Sequence, residues 1–401
     1  MADISPRSKT PSNGARAQED GGAPFLGLID AVLVPDPVEF EFDGAVARSH
    51  AAAAWTWMIR DVAPDLLDVA TSNDDPAARQ ALDAAIPDLL ARVRGVLAEM
   101  DRDRDLDRRM RVQMGGEAVY GRMPVILNAL KCRNLLVKAQ GFGRAANNMG
   151  DDAALALALQ SMPLGDRAVA SLLLQAAVGQ LTNPARLMGA AIKIAGSSSE
   201  AAMQRAGLVP LVDAVLSHAQ AQIPPLAQHG VYADVDLICR SIERFHRLMR
   251  AVTGFVELAR MSHWSMVVAG LTSSISELIE PRLREVVPDV SRALRRREGG
   301  HDRLDSDQLL IALNGCYVLA TVREARDSLA LNALFDQAWN QLGQALEMHV
   351  QRNLEVFRQS PNDQTTAARL DAAIKMSELR FNADYAEVLR RARDSASKRV
   401  G

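Results

Sequence analysis

The sequence predicts an all-α fold: an irregular helical N-terminal region, with a hint of helical repeats, followed by a bundle of long antiparallel helices. Three observations predict it. Apolar residues recur three and four apart almost without interruption from about residue 23 to the end, the spacing of one buried helix face. Hydrophobic residues form 48% of the 401-residue chain but aromatics only 4%, so the core is built from Ala, Leu, Val, Ile and Met, whose small side chains suit close helix layers. Alanine also has the highest helix propensity, so local preference and pattern agree. The clearest stripe is Val235, Ile238, Ile242, Phe245, Met249, Val252 and Val256. It is the segment expected to pair with another helix, inside the bundle or across a homodimer, or to receive a partner.

The elements follow from these stripes and their punctuation. Residues 1–22 are polar, rich in Ser, Pro and Gly, and read as a disordered tail. Phe25 to Leu33 reads as a short helix, broken by Val34-Pro35-Asp36-Pro37, and Asp43 to Asp61 as a helix carrying Trp55 and Trp57. Asp75-Pro76 is a start signal, a cap followed by proline at the first helical position, and Asn183-Pro184 repeats it. Helices are expected near 77–100, 104–114, 116–131, 133–147, 152–161, 165–180, 184–195 and 209–223, with Gly141 and Gly143 marking a break and Pro224-Pro225 a stop. Further helices are expected near 233–258, 262–280, 282–297, 306–326, 328–358, 364–378 and 381–397. Arg295 to Arg297 suit the negative end of a helix dipole, before a charged loop near 298–305. The expected domains are 23–228 and 229–401, divided in the loop from Pro224 to Ala233. In the first, Pro87, Pro124, Pro163 and Pro210 each lead an apolar run at intervals of 37, 39 and 47 residues, which resembles the ~40–47-residue period of armadillo-type helical repeats.

Composition narrows the function. A net charge of −3, from 46 basic and 49 acidic residues, gives no global attraction to nucleic acid or anionic lipid, so neither is an expected partner. Cys132, Cys239 and Cys316 lie far apart in apolar segments, fit no zinc module, and read as buried thiols of a reducing compartment. No apolar run reaches the ~18 residues of a membrane span, and the tail lacks the apolar core of a secretory signal. The expected location is the cytoplasm; a Ser/Pro-rich tail is also compatible with export of a bacterial effector.

Short motifs give way to structural readings. Glu243-Arg-Phe-His246 is a Glu-x-x-His on a helix, but a di-iron cage needs it twice on helices, and Glu298-Gly-Gly-His301 lies in a glycine-rich loop. Gly141-Phe-Gly143-Arg-Ala-Ala146 has the spacing of a dinucleotide fingerprint without the preceding strand, and reads as a helix–helix turn. Asp101 to Asp107 alternates charge like a calcium loop, yet Leu106 and Val112 stand where Gly and Glu are needed. No zincin pair, nucleophile elbow or P-loop is present. No catalytic residue, metal or cofactor is therefore expected.

The expected function is a non-enzymatic protein-interaction module, an adaptor, scaffold or regulator that binds a protein partner through helix grooves and is open to homo-oligomerisation. The alternative is a helical enzyme or a ligand or metal carrier with a site between bundle helices. Glu243, His246, His263 and Glu277 are its first polar candidates, because they fall on adjacent helices. Lys131, Arg133, Lys138 and Arg144 form a basic set able to meet a phosphate or an acidic partner, or simply a solvated face.

Overall fold

A computed structural model describes residues 24–66, 76–296 and 304–398. The expected tail at 1–22, the Asp75 cap and Glu298-Gly-Gly-His301 lie outside these residues. Within them the chain is all-α, with one two-residue strand pair.

In chain order, α1 is Pro24–Ile29, β1 Leu33–Val34, β2 Val46–Ala47, α2 Arg48–Trp57, α3 Pro76–Met100, α4 Arg104–Met114, α5 Glu117–Lys131 and α6 Arg133–Asn148. Then come α7 Asp152–Gln160, α8 Arg167–Val178, α9 Pro184–Ala195, α10 Glu200–Arg205, α11 Val209–Gln220 and α12 Val235–Thr253. The last five are α13 His263–Leu294, α14 Ser306–Ala325, α15 Asn332–Gln359, α16 Gln364–Arg380 and α17 Ala383–Lys398. Side-chain caps start many of them. Asp103, Asp151, Asp166, Asp305 and Asp363 each accept from backbone N–H groups of the first turn. Asn183 does the same ahead of Pro184, the start chemistry the sequence predicts. Gly115 and Gly196 end α4 and α9 in the left-handed conformation.

The structure corrects several expected boundaries. Residues 43–47 are not helical: Val46 and Ala47 pair in parallel with Leu33 and Val34, and the helix begins at Arg48. The expected helices at 262–280 and 282–297 are one helix, α13, with Pro281 and Pro288 inside it. Both prolines are exposed, so water can reach the carbonyls their missing N–H groups leave free. The break at Gly141 and Gly143 is also absent, since α6 runs through both. The four prolines of the supposed repeat do not hold equivalent places. Pro87 and Pro124 lie inside helices, Pro163 lies between two, and Pro210 is in the first turn of α11.

The described residues form two compact units, one from those up to 182 with 206–217, the other from 183–205 with those from 218 on. The first has a core around Phe25 and Trp55, whose rings stack at 4.0 Å and 5°, with Trp57, Met58, Leu89, Ile126 and Leu172 buried beside them. Helix α8 is buried from Ala170 to Val178, and two glycines let neighbours reach its backbone. A β-carbon on Gly44 or Gly143 would sit 2.2 Å from the carbonyl oxygen of Ser171 or Ala177. In the second unit α13 packs on α14 and α15, α12 on α9 and α14, and α16 on α15 and α17. Its interior carries the α12 residues Ile238, Ile242, Phe245, Met249 and Val252 and the α13 residues Val267, Leu271, Ile275, Ile279, Leu283, Val286 and Val290.

Candidate functional site: a cleft between three helices

The second unit holds a half-open cleft of about 250 Å³ among α12, α13, α14 and the loop leading into α12. Helical spacing sets its walls. Pro281, Arg282, Glu285, Val286 and Asp289 come from one face of α13, and Ile311, Asn314, Gly315 and Val318 from one face of α14. Val235 and Ile238 come from the first turn of α12, and His229, Gly230 and Ala233 from the loop. Gly315 lets α14 close on α13, since a β-carbon there would meet Val286 Cγ2 at 3.3 Å. The loop turns at Gly230, whose φ of +85° favours glycine. Its end is fixed at Asp234, whose N–H donates to Gln228 Oε1 at 3.1 Å and whose carboxylate caps α12 through Leu237 N.

Arg282 anchors this loop. Its Nη2 donates to the carbonyls of Leu226, at 2.8 Å, and of Gln228, and to His229 Nδ1 at 3.1 Å. A guanidinium only donates, so His229 Nδ1 accepts and its ring proton sits on Nε2. Arg282 Nε is buried without a partner, and Nη1 makes no hydrogen bond among the described residues. Burial pulls the Arg282 pKa down, and the Cys239 thiol opposes this electrostatically. The guanidinium has no carboxylate counter-ion among the described residues. Two turns on, burial pushes the Asp289 carboxyl up, Arg292 pulls it down, and Glu285 adds repulsion. Asp289 accepts from Arg292 at 2.8 Å and from Gln308 at 3.4 Å. Glu285 is exposed. The site therefore offers apolar walls, one uncompensated cation at the loop end, and two carboxylates farther along α13.

The sequence-predicted residues lie elsewhere, apart from Val235 and Ile238. Ile238, Ile242, Phe245, Met249, Val252 and Val256 are buried in the second unit, and Val235 is half-buried in the cleft wall. Glu243, His263 and Glu277 are exposed, and Glu277 accepts from Ser273 Oγ at 3.1 Å. His246 is half-buried, with Nδ1 2.9 Å from Ser328 Oγ. None of these four polar candidates lines the cleft. No cluster of three or more His, Cys, Asp or Glu suited to a metal occurs among the described residues. In the basic set, Lys131, Lys138 and Arg144 are exposed, with Arg144 reaching Gln180 Oε1 at 3.3 Å. Arg133 is held by the Asp83 carboxylate and carbonyl.

Sequence reasoning missed Arg282, His229 and Asn314. One signal was available: Arg282 stands three residues after Ile279 and four before Val286, on the edge of the buried α13 stripe, where a charge costs energy unless something meets it.

No family model, curated protein or solved structure matches this chain.

Proposed function

We propose that this chain is a non-enzymatic helical binding module whose ligand enters the α12–α13–α14 cleft. The observation that carries the reading is the conjunction of apolar walls with the Arg282 guanidinium, which lacks a counter-ion among the described residues. Binding sites combine a mainly apolar concavity with a few placed polar groups. The test is native mass spectrometry of the full chain purified from the cells that make it, beside an Ile311→Trp variant that fills the cleft. Co-purifying mass on the wild type that the folded variant lacks supports the reading. Identical spectra for both proteins count against it.

A protein partner is the second reading, and Tyr232 favours it. Its side chain is 100% exposed, one residue from Ala233 in the cleft lining, and an exposed tyrosine is a good interface anchor. A photoreactive phenylalanine at position 232 should then give one discrete protein adduct. Diffuse labelling, equal to that at the exposed position Val388, would remove this reading.

A further inference from the structure

We infer that the cleft takes a small apolar monocarboxylate, with its carboxylate on the Arg282 guanidinium and its hydrocarbon part among Val235, Ile238, Val286, Ile311 and Val318. This inference deepens the binding-module reading and rests on it.

The anionic group follows from Arg282. Its Nη2 is spent on the loop carbonyls and His229, while Nη1 is unengaged among the described residues. A partly buried cation without a counter-ion is costly, and the Nη1 left over can donate charge-assisted hydrogen bonds to an anionic oxygen of a carboxylate or phosphate. His229 adds a second donor, because its Nδ1 accepts from Arg282 and its Nε2 carries the proton. Asn314 lines the cleft from α14 with an amide able to donate to the second carboxylate oxygen or to accept from a ligand hydroxyl.

The size and single charge follow from the other lining residues. A volume of about 250 Å³ lies at the lower end of ordinary ligand clefts, ~300–1,000 Å³, which suits a small ligand. Glu285 and Asp289 stand one and two turns beyond Arg282 on the same helix face. A second ligand carboxylate would meet them, so the site selects against dianions.

Calorimetry on the full wild-type chain tests this with four probes: hexanoate, hexan-1-ol, adipate and N-acetyl-leucine. Charge-assisted hydrogen bonds to the guanidinium predict that hexanoate binds at least about tenfold tighter than hexanol. It should also bind tighter than adipate, which carries the second charge, and than N-acetyl-leucine, which imitates a polypeptide C-terminus. Ile311→Trp should abolish binding, and Arg282→Met should erase the preference over hexanol. If Arg282→Met fails to fold, the comparison of probes on the wild type still decides. Equal affinity for hexanol and hexanoate overturns the carboxylate assignment and leaves the cleft as a binding site. Tighter binding of adipate or N-acetyl-leucine overturns the free monocarboxylate in favour of a diacid or a chain terminus. No binding of any probe, or binding unchanged by Ile311→Trp, overturns both this inference and the reading beneath it.

Discussion

Arg133 donates from Nη2 to the main-chain carbonyl of Asp83 at 3.0 Å, and that carbonyl is the acceptor left free by the proline four residues on. Pro87 lies inside α3 and has no N–H to offer. Arg133 supplies the missing donor and also binds the Asp83 carboxylate through Nε. With its side chain only 14% exposed, this arginine is a helix repair rather than a free member of a basic patch. Arg133→Ala should cost about 1–3 kcal/mol, the range for leaving a partly buried polar group unpaired. In a Pro87→Ala background the helix regains its own donor, so the same substitution should cost less. Urea unfolding of the two single variants and the double variant measures this coupling. Strict additivity would show that the Arg133–Asp83 carbonyl contact contributes nothing.

Two glycines of one motif should respond oppositely to alanine. At Gly143 a β-carbon would sit 2.2 Å from the Ala177 oxygen and 3.0 Å from its carbon, so α6 and α8 must separate. Overpacking of this kind costs roughly 1–3 kcal/mol. At Gly141 a β-carbon would meet no neighbouring element within 4 Å among the described residues, and helix propensity alone predicts a gain of about 0.5–1 kcal/mol. Thermal melts of Gly143→Ala and Gly141→Ala read both. A Gly143→Ala protein as stable as the wild type would mean that the two helices are not in backbone contact.

The same pair shows what was legible in the sequence. The α12 stripe from Ile238 to Val252 is buried as its spacing predicts, because periodicity records which face of a helix leaves water. The glycines at 141 and 143 were misread because a breaker and a close-packing residue look alike in one dimension. The expected break at Pro281 fails for a similar reason, since an exposed proline can remain inside a long helix held by its neighbours. The cleft was not legible at all. Arg282, His229 and Asn314 meet only because α13, α14 and one loop converge, and spacing within each helix does not encode which helices become neighbours.

The cysteines should report opening of the second unit. Cys239 and Cys316 are free, and burial pushes the Cys316 thiol up to about 12. A thiol protonated at neutral pH and shielded by packing is a poor nucleophile. Burial raises Cys239 as well, partly offset by a hydrogen bond with Thr321. At pH 8, Cys316 in the folded protein should react with a thiol reagent only through unfolding, so its rate should rise steeply with urea. Labelling of Cys316 as fast as that of a free thiol, without denaturant, would contradict its burial on α14.

Acid should weaken the protein through His349. This side chain is buried on α15, and its Nε2 has no hydrogen-bond partner among the described residues. Burial lowers its pKa below the usual 6.5, and Arg295 and Arg352 lower it further. The fold therefore favours the neutral ring. Above pH 6.5 both the folded and unfolded chains carry it neutral, and its contribution to stability is fully present. Below 6.5 the unfolded chain takes the proton first, so stability is lost progressively as pH falls towards the folded-state pKa. His246, lowered by burial and by Arg250 against the pull of Asp327 and Glu324, acts in the same direction. A His349→Leu variant retains His246, so the difference between the two proteins isolates His349. Between pH 7.5 and 5.5 the urea midpoint of the wild type should fall more than that of the variant. Parallel falls would place His349 in contact with water, or with an acidic partner that stabilises its charged form.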